Sequence, residues 1–203
     1  MIFSVLDVET TGLSAKRGDR VLEIGVVQLD SAGEIKAVLD TLINPGSPVR
    51  ATRVHGITDD MVSSAPSFRD IVHHLSAILD GTVIAAHNAS FDLSFLREEF
   101  RRSGTKLPFI TPVCTLIMAR KYLKTLPSRS LGACREFLGL ADDGAHNALA
   151  DAEAAAYLLK YFLNEYHPDI NAKPFHSVLP DESGELFNNT PVLKPRTAPG
   201  ELL

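Results

Sequence analysis

The sequence lacks the features of a membrane-spanning or secreted protein. It has no apolar run of about 18 residues, and no basic segment leads into an apolar one, because an apolar strand pattern begins at Ile2. Its two cysteines, Cys114 and Cys134, form no CxxC pair and have no histidine at zinc-finger spacing, which favours buried, reduced thiols. We therefore expect a cytoplasmic protein with no membrane partner.

The chain also lacks the positive charge that is typical of nonspecific nucleic-acid binders. Its 20 lysines and arginines face 25 aspartates and glutamates, a net charge of −5, whereas such binders gain affinity largely by neutralising phosphates. Positive residues do concentrate in the middle third, at Arg97, Arg101, Arg102, Lys106, Arg120, Lys121, Lys124 and Arg129. They suit either a path for a strand or a solvated helix face. We expect weak affinity for long nucleic acid and engagement of a frayed end only.

The length and the order of patterns predict one α/β domain. At 203 residues and 45% hydrophobic, the chain suits a single core. Strands are predicted over 1–8, 20–29, 34–43, 82–86 and 110–114, a short helix within the loop 44–63, and helices over 67–80, 90–103, 115–123, 130–138 and 146–166. Three consecutive strands favour antiparallel pairing, and the later alternation favours parallel pairing. The result is a mixed sheet flanked by helices.

Acidic residues recur in three short stretches at the ends of predicted elements. Asp7 and Glu9 end the first strand and, being two residues apart, face the same side. Asp92 lies in the first turn of a helix, and Asp151 lies near the start of the last helix, at whose entrance His146 stands. The partial positive charge of a helix N-terminus offsets part of the cost of gathering acids.

These residue types have the chemistry of a two-metal phosphodiesterase. Hard divalent cations prefer oxygen ligands. Two such ions about 3.5–4 Å apart can activate water on one side of a phosphate and stabilise the departing oxygen on the other. A histidine, with an ordinary pKa of about 6.5, can accept the proton from that water. Each stretch alone is common on protein surfaces, so the hypothesis depends on their conjunction.

The three stretches resemble the motifs of the DEDDh-type 3′-to-5′ exonucleases, in the DnaQ-like family that includes the epsilon subunit of bacterial DNA polymerase III. The matches are DxETTG at 7–12, HNAxFD at 87–92 and HxAxxD at 146–151, with VHGIT at 54–58 resembling a further family loop. Oligoribonucleases share the acids but usually lack the HNAxFD form. The resemblance covers about residues 1–165 and implies a ribonuclease H-like architecture.

The resemblance also implies a mechanism. Two divalent cations, Mg²⁺ or Mn²⁺, would be held by the carboxylates of Asp7, Glu9, Asp92 and Asp151. His146 would act as the general base, and nucleoside 5′-monophosphates would leave from the 3′ end.

The substrate pocket is predicted beside the first strand. The backbone of Thr10 to Leu13 and the two threonine hydroxyls, with Gly12 ending the strand, are expected to hold the 3′-terminal nucleotide, with Leu13 as a wedge against its base. His55 and Phe91 resemble family positions that line the same pocket, although Phe91 suits the core equally well. An aromatic face can stack a base of any sequence.

The motifs do not specify the polymer. By resemblance alone, single-stranded or mismatched DNA in proofreading or repair is favoured. One alternative is an exoribonuclease that trims RNA 3′ ends. The other is a catalytically weak scaffold module of a polymerase or repair complex, which is less favoured because all five motif residues are present.

The composition changes after Tyr166. Residues 168–203 hold six of the twelve prolines with scattered apolar residues, which predicts an exonuclease domain over 1–167 followed by a linker or tail. In the resembling polymerase subunits, the segment after this domain carries partner contacts. The run 185–187 (Glu-Leu-Phe) faintly resembles a sliding-clamp peptide but lacks the leading glutamine. A DNA polymerase subunit or a sliding clamp is therefore a candidate partner of the tail.

Overall fold

The computed structural model describes residues 1–140 and 147–177. The strands are β1 Ile2–Thr10, β2 Val21–Asp30, β3 Ile35–Leu42, β4 Val83–Ala86 and β5 Val113–Cys114. The helices are α1 Thr52–His55, α2 Asp59–Val62, α3 Phe68–Leu79, α4 Ala89–Arg102, α5 Thr115–Tyr122, α6 Leu131–Phe137 and α7 Ala148–Tyr166, with a 3₁₀ turn over Ala15–Arg17. No helix in these two ranges has both the length and the apolar character needed to cross a membrane.

The five strands form one mixed sheet in the order β3-β2-β1-β4-β5. The first three strands pair antiparallel, whereas β4 pairs parallel with both β1 and β5. Helices separate β3 from β4 and β4 from β5, as parallel connections require. The predicted mixed α/β sheet is confirmed.

Successive residues of the central strands point to opposite faces and form separate cores. Leu6 and Val8 pack in the cluster that contains the buried residues of α3 and α4. Phe3 and Val5 pack on the other face, with the alanines of α7. Because β1 is covered on both faces, its apolar run is nearly continuous, and the acids at its end interrupt that run.

Gly25 of β2 allows the start of α7 to lie directly on the sheet. It pairs with Asp7 of β1, and a Cβ atom placed on it would lie only 2.5 Å from the carbonyl of Ala148. A larger residue would push the helix away from β1. This close approach sets the position from which α7 presents Asp151.

Two helix starts differ from the sequence prediction. α4 begins one residue earlier than predicted, because Asn88 is its cap residue, in the left-handed region at φ 72°, and Ser90 lies inside the first turn. α7 begins at Ala148, where Asn147 accepts a 3.0 Å hydrogen bond from the Ala150 amide. His146 lies outside the described residues.

The chain between residues 168 and 177 packs on the domain, although the sequence places it in a linker. Phe175 is fully buried and contacts Phe100, with ring centroids 6.3 Å apart. Its amide donates to the carbonyl of Thr82, and its carbonyl accepts from the amide of Gly81, each at 2.6 Å. The expected boundary at residue 167 therefore lies too early, because an aromatic side chain beyond it completes the core. We propose a domain that extends to at least residue 177.

Candidate metal centre

The end of β1 and the first turn of α7 bring three carboxylates together. One oxygen each from Asp7, Glu9 and Asp151 lies within 4.8 Å of the other two. Ligand oxygens around Mg²⁺ lie about 2.0–2.1 Å from the ion, so oxygens at this mutual spacing can share one cation after small adjustments. The donor set, which is all carboxylate, fits a hard divalent ion.

Asp92 lies beside these carboxylates and is almost completely buried in α4. Its pKa is raised to about 7, first by burial and then by the charge of Glu9, against opposing hydrogen bonds from backbone groups including Val8. The pKa of Asp7 lies well above its ordinary value because of burial and then the charges of its carboxylate neighbours, with Asp92 first among them. We call Asp7, Glu9, Asp92 and Asp151 the acidic cluster. It gathers more negative charge than it can hold without protons or cations.

Arg135 of α6 contacts the acidic cluster from outside the motifs. Its Nη1 atom lies 2.9 Å from Oδ1 of Asp151 and also donates to the carbonyl of Ala150 at 3.3 Å. Arg135 is buried, and α6 and α7 are in contact. Nothing local in the sequence identified it, because the two partners lie on different helices.

Glu23 of β2 is a second residue that the sequence interpretation missed. It is fully buried and pairs across the sheet with Glu9. Its two oxygens accept hydrogen bonds from the side chain of Asn147 and the amide of Ala148, both at 3.2 Å. A carboxylate at a helix N-terminus is favourable, so Glu23 fixes the start of α7. A glutamate within the apolar run 21–27 was the available signal.

The predicted substrate loop uses its own polar groups internally. The Thr10 hydroxyl donates to the carbonyl of Gly12 at 2.6 Å, and the Thr11 hydroxyl accepts from the amide of Arg20 at 2.9 Å. The Thr11 amide donates to the carbonyl of Arg20. Leu13, in contrast, is 87% exposed. The threonines therefore shape this loop, and Leu13 is the side chain that projects from it.

Two arginines tie the loop to α4 through the buried carboxylate of Glu99. Arg20 donates from Nε and Nη2 to both oxygens of Glu99, at 2.7 and 2.9 Å. Arg102 lies 3.5 Å from the same carboxylate and donates to the loop carbonyls of Ala15 and Asp19. We call these three residues the Arg20–Glu99–Arg102 ion group. Arg102, which the sequence placed on a possible nucleic-acid path, is used inside the domain.

The other predicted pocket residues make contacts within the fold. The buried ring of His55 accepts at Nδ1 from the Ile57 amide at 3.1 Å and lies 3.0 Å from the carbonyl of Arg50 at Nε2. Phe91 packs on Phe95, with centroids 5.0 Å apart. His55 thus holds its own loop, and Phe91 belongs partly to the core. Their roles toward a substrate stay predictions, as does the role of His146.

The family follows from a comparison with known proteins. Residues 4–159 match the model of the RNase_T exonuclease family, so the chain belongs to this family of exonucleases. The family predicted from the three motifs is confirmed. Exonucleases of this family use divalent metal ions, which agrees with the acidic cluster.

Two relatives and one solved structure indicate the range of the family. The chain is 36% identical over 162 residues to a DNA polymerase III subunit epsilon-like protein of Rhodobacter capsulatus, a match that covers 77% of this chain and 23% of that protein. It is 32% identical over 165 residues to the 3′-5′ exonuclease DinG of Bacillus subtilis, covering 80% and 18%. The chain thus spans less than a quarter of the length of either relative.

The solved structure of exonuclease X in complex with 5′-overhanging duplex DNA superposes with a TM-score of 0.64 at 27% identity, covering 82% of this chain and 93% of that one. The ribonuclease H-like architecture is therefore confirmed.

Proposed function

We propose that this chain is a 3′-to-5′ exonuclease that uses two divalent cations, Mg²⁺ or Mn²⁺, to release nucleoside 5′-monophosphates from single-stranded or mismatched DNA ends. The observation that carries the proposal is the approach of Asp7, Glu9 and Asp151 to within 4.8 Å, beside the buried Asp92. Membership of the exonuclease family supports it, and so does the 3′-5′ polarity in the name of the Bacillus subtilis relative.

Each member of the site has a distinct task in this proposal. Asp7, Glu9 and Asp151 would hold one cation, and Asp7 together with Asp92 would hold the second. When bound, the two ions supply an activated water and stabilise charge on the departing oxygen. The chain itself holds the carboxylates in place from β1, α4 and α7, and His146 accepts the proton of the attacking water.

The loop after β1 would receive the 3′-terminal nucleotide. Thr10, Thr11 and Gly12 give the loop its shape, and Leu13 would pack against the terminal base. Phe91 would extend this apolar surface, and His55 would act through the neighbouring loop that it holds. DNA is favoured as the substrate because one relative is named as a DNA polymerase III subunit epsilon-like protein. The structure of exonuclease X, which is similar to this chain, was solved in complex with DNA. RNA 3′-end trimming is the alternative activity.

The family relationship supports a proposal about the partner of the chain. We propose that the tail, in residues 178–203, contacts a DNA polymerase subunit or a sliding clamp, which would compensate for the weak hold of an acidic protein on DNA. A cytoplasmic location stays a prediction. A scaffold without activity is the competing proposal, and a digestion assay separates the two.

The assay uses end-labelled single-stranded DNA, mismatched duplex, matched duplex and RNA, each with Mg²⁺, Mn²⁺ or EDTA. We expect stepwise shortening from the 3′ end with either metal and none in EDTA, faster on single-stranded and mismatched DNA than on matched duplex. Faster digestion of RNA would favour the alternative substrate. Intact substrates under all metal conditions would favour the scaffold.

The base assignment predicts a distinct kinetic effect. His146→Ala should lower kcat by about 10²–10⁴-fold, because proton transfer to a positioned base contributes a factor of this size. The pH dependence that arises from histidine ionisation should disappear with it. Mn²⁺ affinity, measured by calorimetry, should change little, since His146 is not a proposed ligand. His73→Ala, at an exposed histidine of α3, is the matched control; an equal loss there would contradict the assignment.

A further inference from the structure

The ion pair between Arg135 and Asp151 joins a proposed metal ligand to a permanent positive charge. The side chains are 9% and 19% exposed, and their atoms lie 2.9 Å apart. At this degree of burial, solvent and salt screen the interaction much less than on the surface. The second hydrogen bond of Nη1, to the carbonyl of Ala150, fixes the guanidinium against the first turn of α7.

The surroundings of this pair carry a large surplus of negative charge. The acidic cluster contains four carboxylates, and Glu23 adds a fifth nearby. A buried carboxylate without a partner is costly, and a guanidinium bound to it reduces that cost. A divalent cation would supply the same compensation. The arginine and the cation thus provide the same kind of charge at the same carboxylate.

We propose that Arg135 is the counter-charge that holds Asp151 in the metal-free protein and that weakens cation binding at Asp7, Glu9 and Asp151. The inference rests on the proposed function, because it assumes that these carboxylates bind a metal. Arg135 is a positioning residue. Its hydrogen bond to Oδ1 of Asp151 fixes the carboxylate that is proposed to bind the cation. Its positive charge repels that cation, so the site would fill only at higher metal concentration.

The test compares full-length wild type, Arg135→Gln, Arg135→Lys and the control Arg101→Gln. Arg101 is an exposed arginine of α4 that pairs with Glu98, so its replacement makes the same charge change away from the site. Mn²⁺ binding is measured by isothermal titration calorimetry, and thermal unfolding is measured in EDTA and in Mn²⁺. Neither readout requires catalysis.

We expect Arg135→Gln to bind Mn²⁺ about tenfold more tightly, or more, because a repelling charge is removed, and to melt at a lower temperature in EDTA. Mn²⁺ should therefore raise its melting temperature by more than it raises that of wild type. Arg135→Lys should keep an affinity near that of wild type, and Arg101→Gln should match wild type in both measurements.

The outcomes separate this inference from the proposed function. Wild type that binds no Mn²⁺ overturns the proposed function and the inference with it. Wild type that binds Mn²⁺ while Arg135→Gln binds equally or more weakly overturns the inference alone. Should the glutamine variant fail to fold in EDTA, the inference requires Mn²⁺ to restore folding, since the cation replaces the missing charge. Arg135→Met is then measured as a second variant without the positive charge. If Mn²⁺ restores folding to neither Arg135→Gln nor Arg135→Met, the inference is contradicted.

Discussion

Two sets of buried charges lie at the two ends of the loop that follows β1, and they are balanced differently. In the Arg20–Glu99–Arg102 ion group, two guanidiniums surround one carboxylate, and further hydrogen bonds go to backbone carbonyls. The acidic cluster has four carboxylates, and among the described residues one arginine, Arg135, forms a salt bridge with the cluster, at Asp151. The chain compensates its own charge where a loop has to be fixed and leaves a surplus where, in our proposal, cations bind.

The difference also separates stability from function. Removing one member of a balanced buried group leaves the others without partners, which is strongly destabilising. Removing one member of a set of like charges relieves repulsion, so the metal-free fold should tolerate it or gain stability. Substitutions in the Arg20–Glu99–Arg102 ion group should therefore lower the free energy of unfolding. Substitutions in the acidic cluster should lower the rate of hydrolysis and leave the metal-free fold as stable as before or more stable.

The largest expected effect is that of Asp7→Ala. Hydrolysis should fall to background, because Asp7 is proposed to contact both cations. The metal-free protein should melt at the same temperature as wild type or higher, since the raised pKa of Asp7 shows that its charge is unfavourable in the fold. End-label release and thermal unfolding in EDTA measure both. Asp60→Ala, an exposed acid of α2, is the control, and retained activity in Asp7→Ala would end the two-metal assignment.

The acidic cluster should also make the metal-free protein less stable as the pH rises. The folded-state pKa of Asp92 is raised to about 7 from an ordinary 3.8. The contribution of Asp92 to the free energy of unfolding is therefore fully present below about pH 4 and is lost as the pH rises through about 7. The lost stability is about 4 kcal/mol. The free energy of unfolding of wild type and of Asp92→Asn is measured with denaturant in EDTA at each pH, and the difference between the two proteins gives the contribution of Asp92. A difference that is constant from pH 4 to 8 would contradict the raised pKa.

Glu99→Gln, in the Arg20–Glu99–Arg102 ion group, should lower the stability of the fold, in contrast to Asp7→Ala. The free energy of unfolding should fall by about 2–3 kcal/mol, a value reduced because both arginines keep partial contact with solvent. Glu98→Gln, next along α4 and paired with the exposed Arg101, should cost less than about 1 kcal/mol. Equal effects of the two substitutions on urea unfolding would show that burial of Glu99 adds nothing.

The smallest effect is expected between the two charge sets, at Leu13. Because this side chain is 87% exposed, Leu13→Ala should leave the melting temperature unchanged. Loss of its contact with the terminal base should raise KM for single-stranded DNA up to about tenfold while kcat changes little. Ile117→Ala, at an exposed residue of α5, serves as the control. An unchanged KM would remove Leu13 from the substrate pocket.

Local patterns in the sequence were sufficient for the acids that lie within one element. The two-residue spacing of Asp7 and Glu9 places both on one side of β1, and the start of α7 explains the position of Asp151. Arg135 could not be predicted in this way. The apolar run around Glu23 indicates a buried glutamate but not its partner, because each of these two residues acts on a helix distant in the chain. The role of Phe175 was hidden by the prolines around it. His146 lies outside the described residues, so its role stays a prediction.

The distribution of the acidic cluster along the chain also affects when it can form during synthesis. Asp7, Glu9 and Asp92 precede Asp151 in the chain and are therefore made before it, and Asp151 lies on α7, the last of the helices in the described residues. A nascent polypeptide that has not yet emerged past α7 holds three of the four carboxylates and has no helix over Gly25 to complete the set. The order of translation therefore keeps an incomplete chain from assembling the full site.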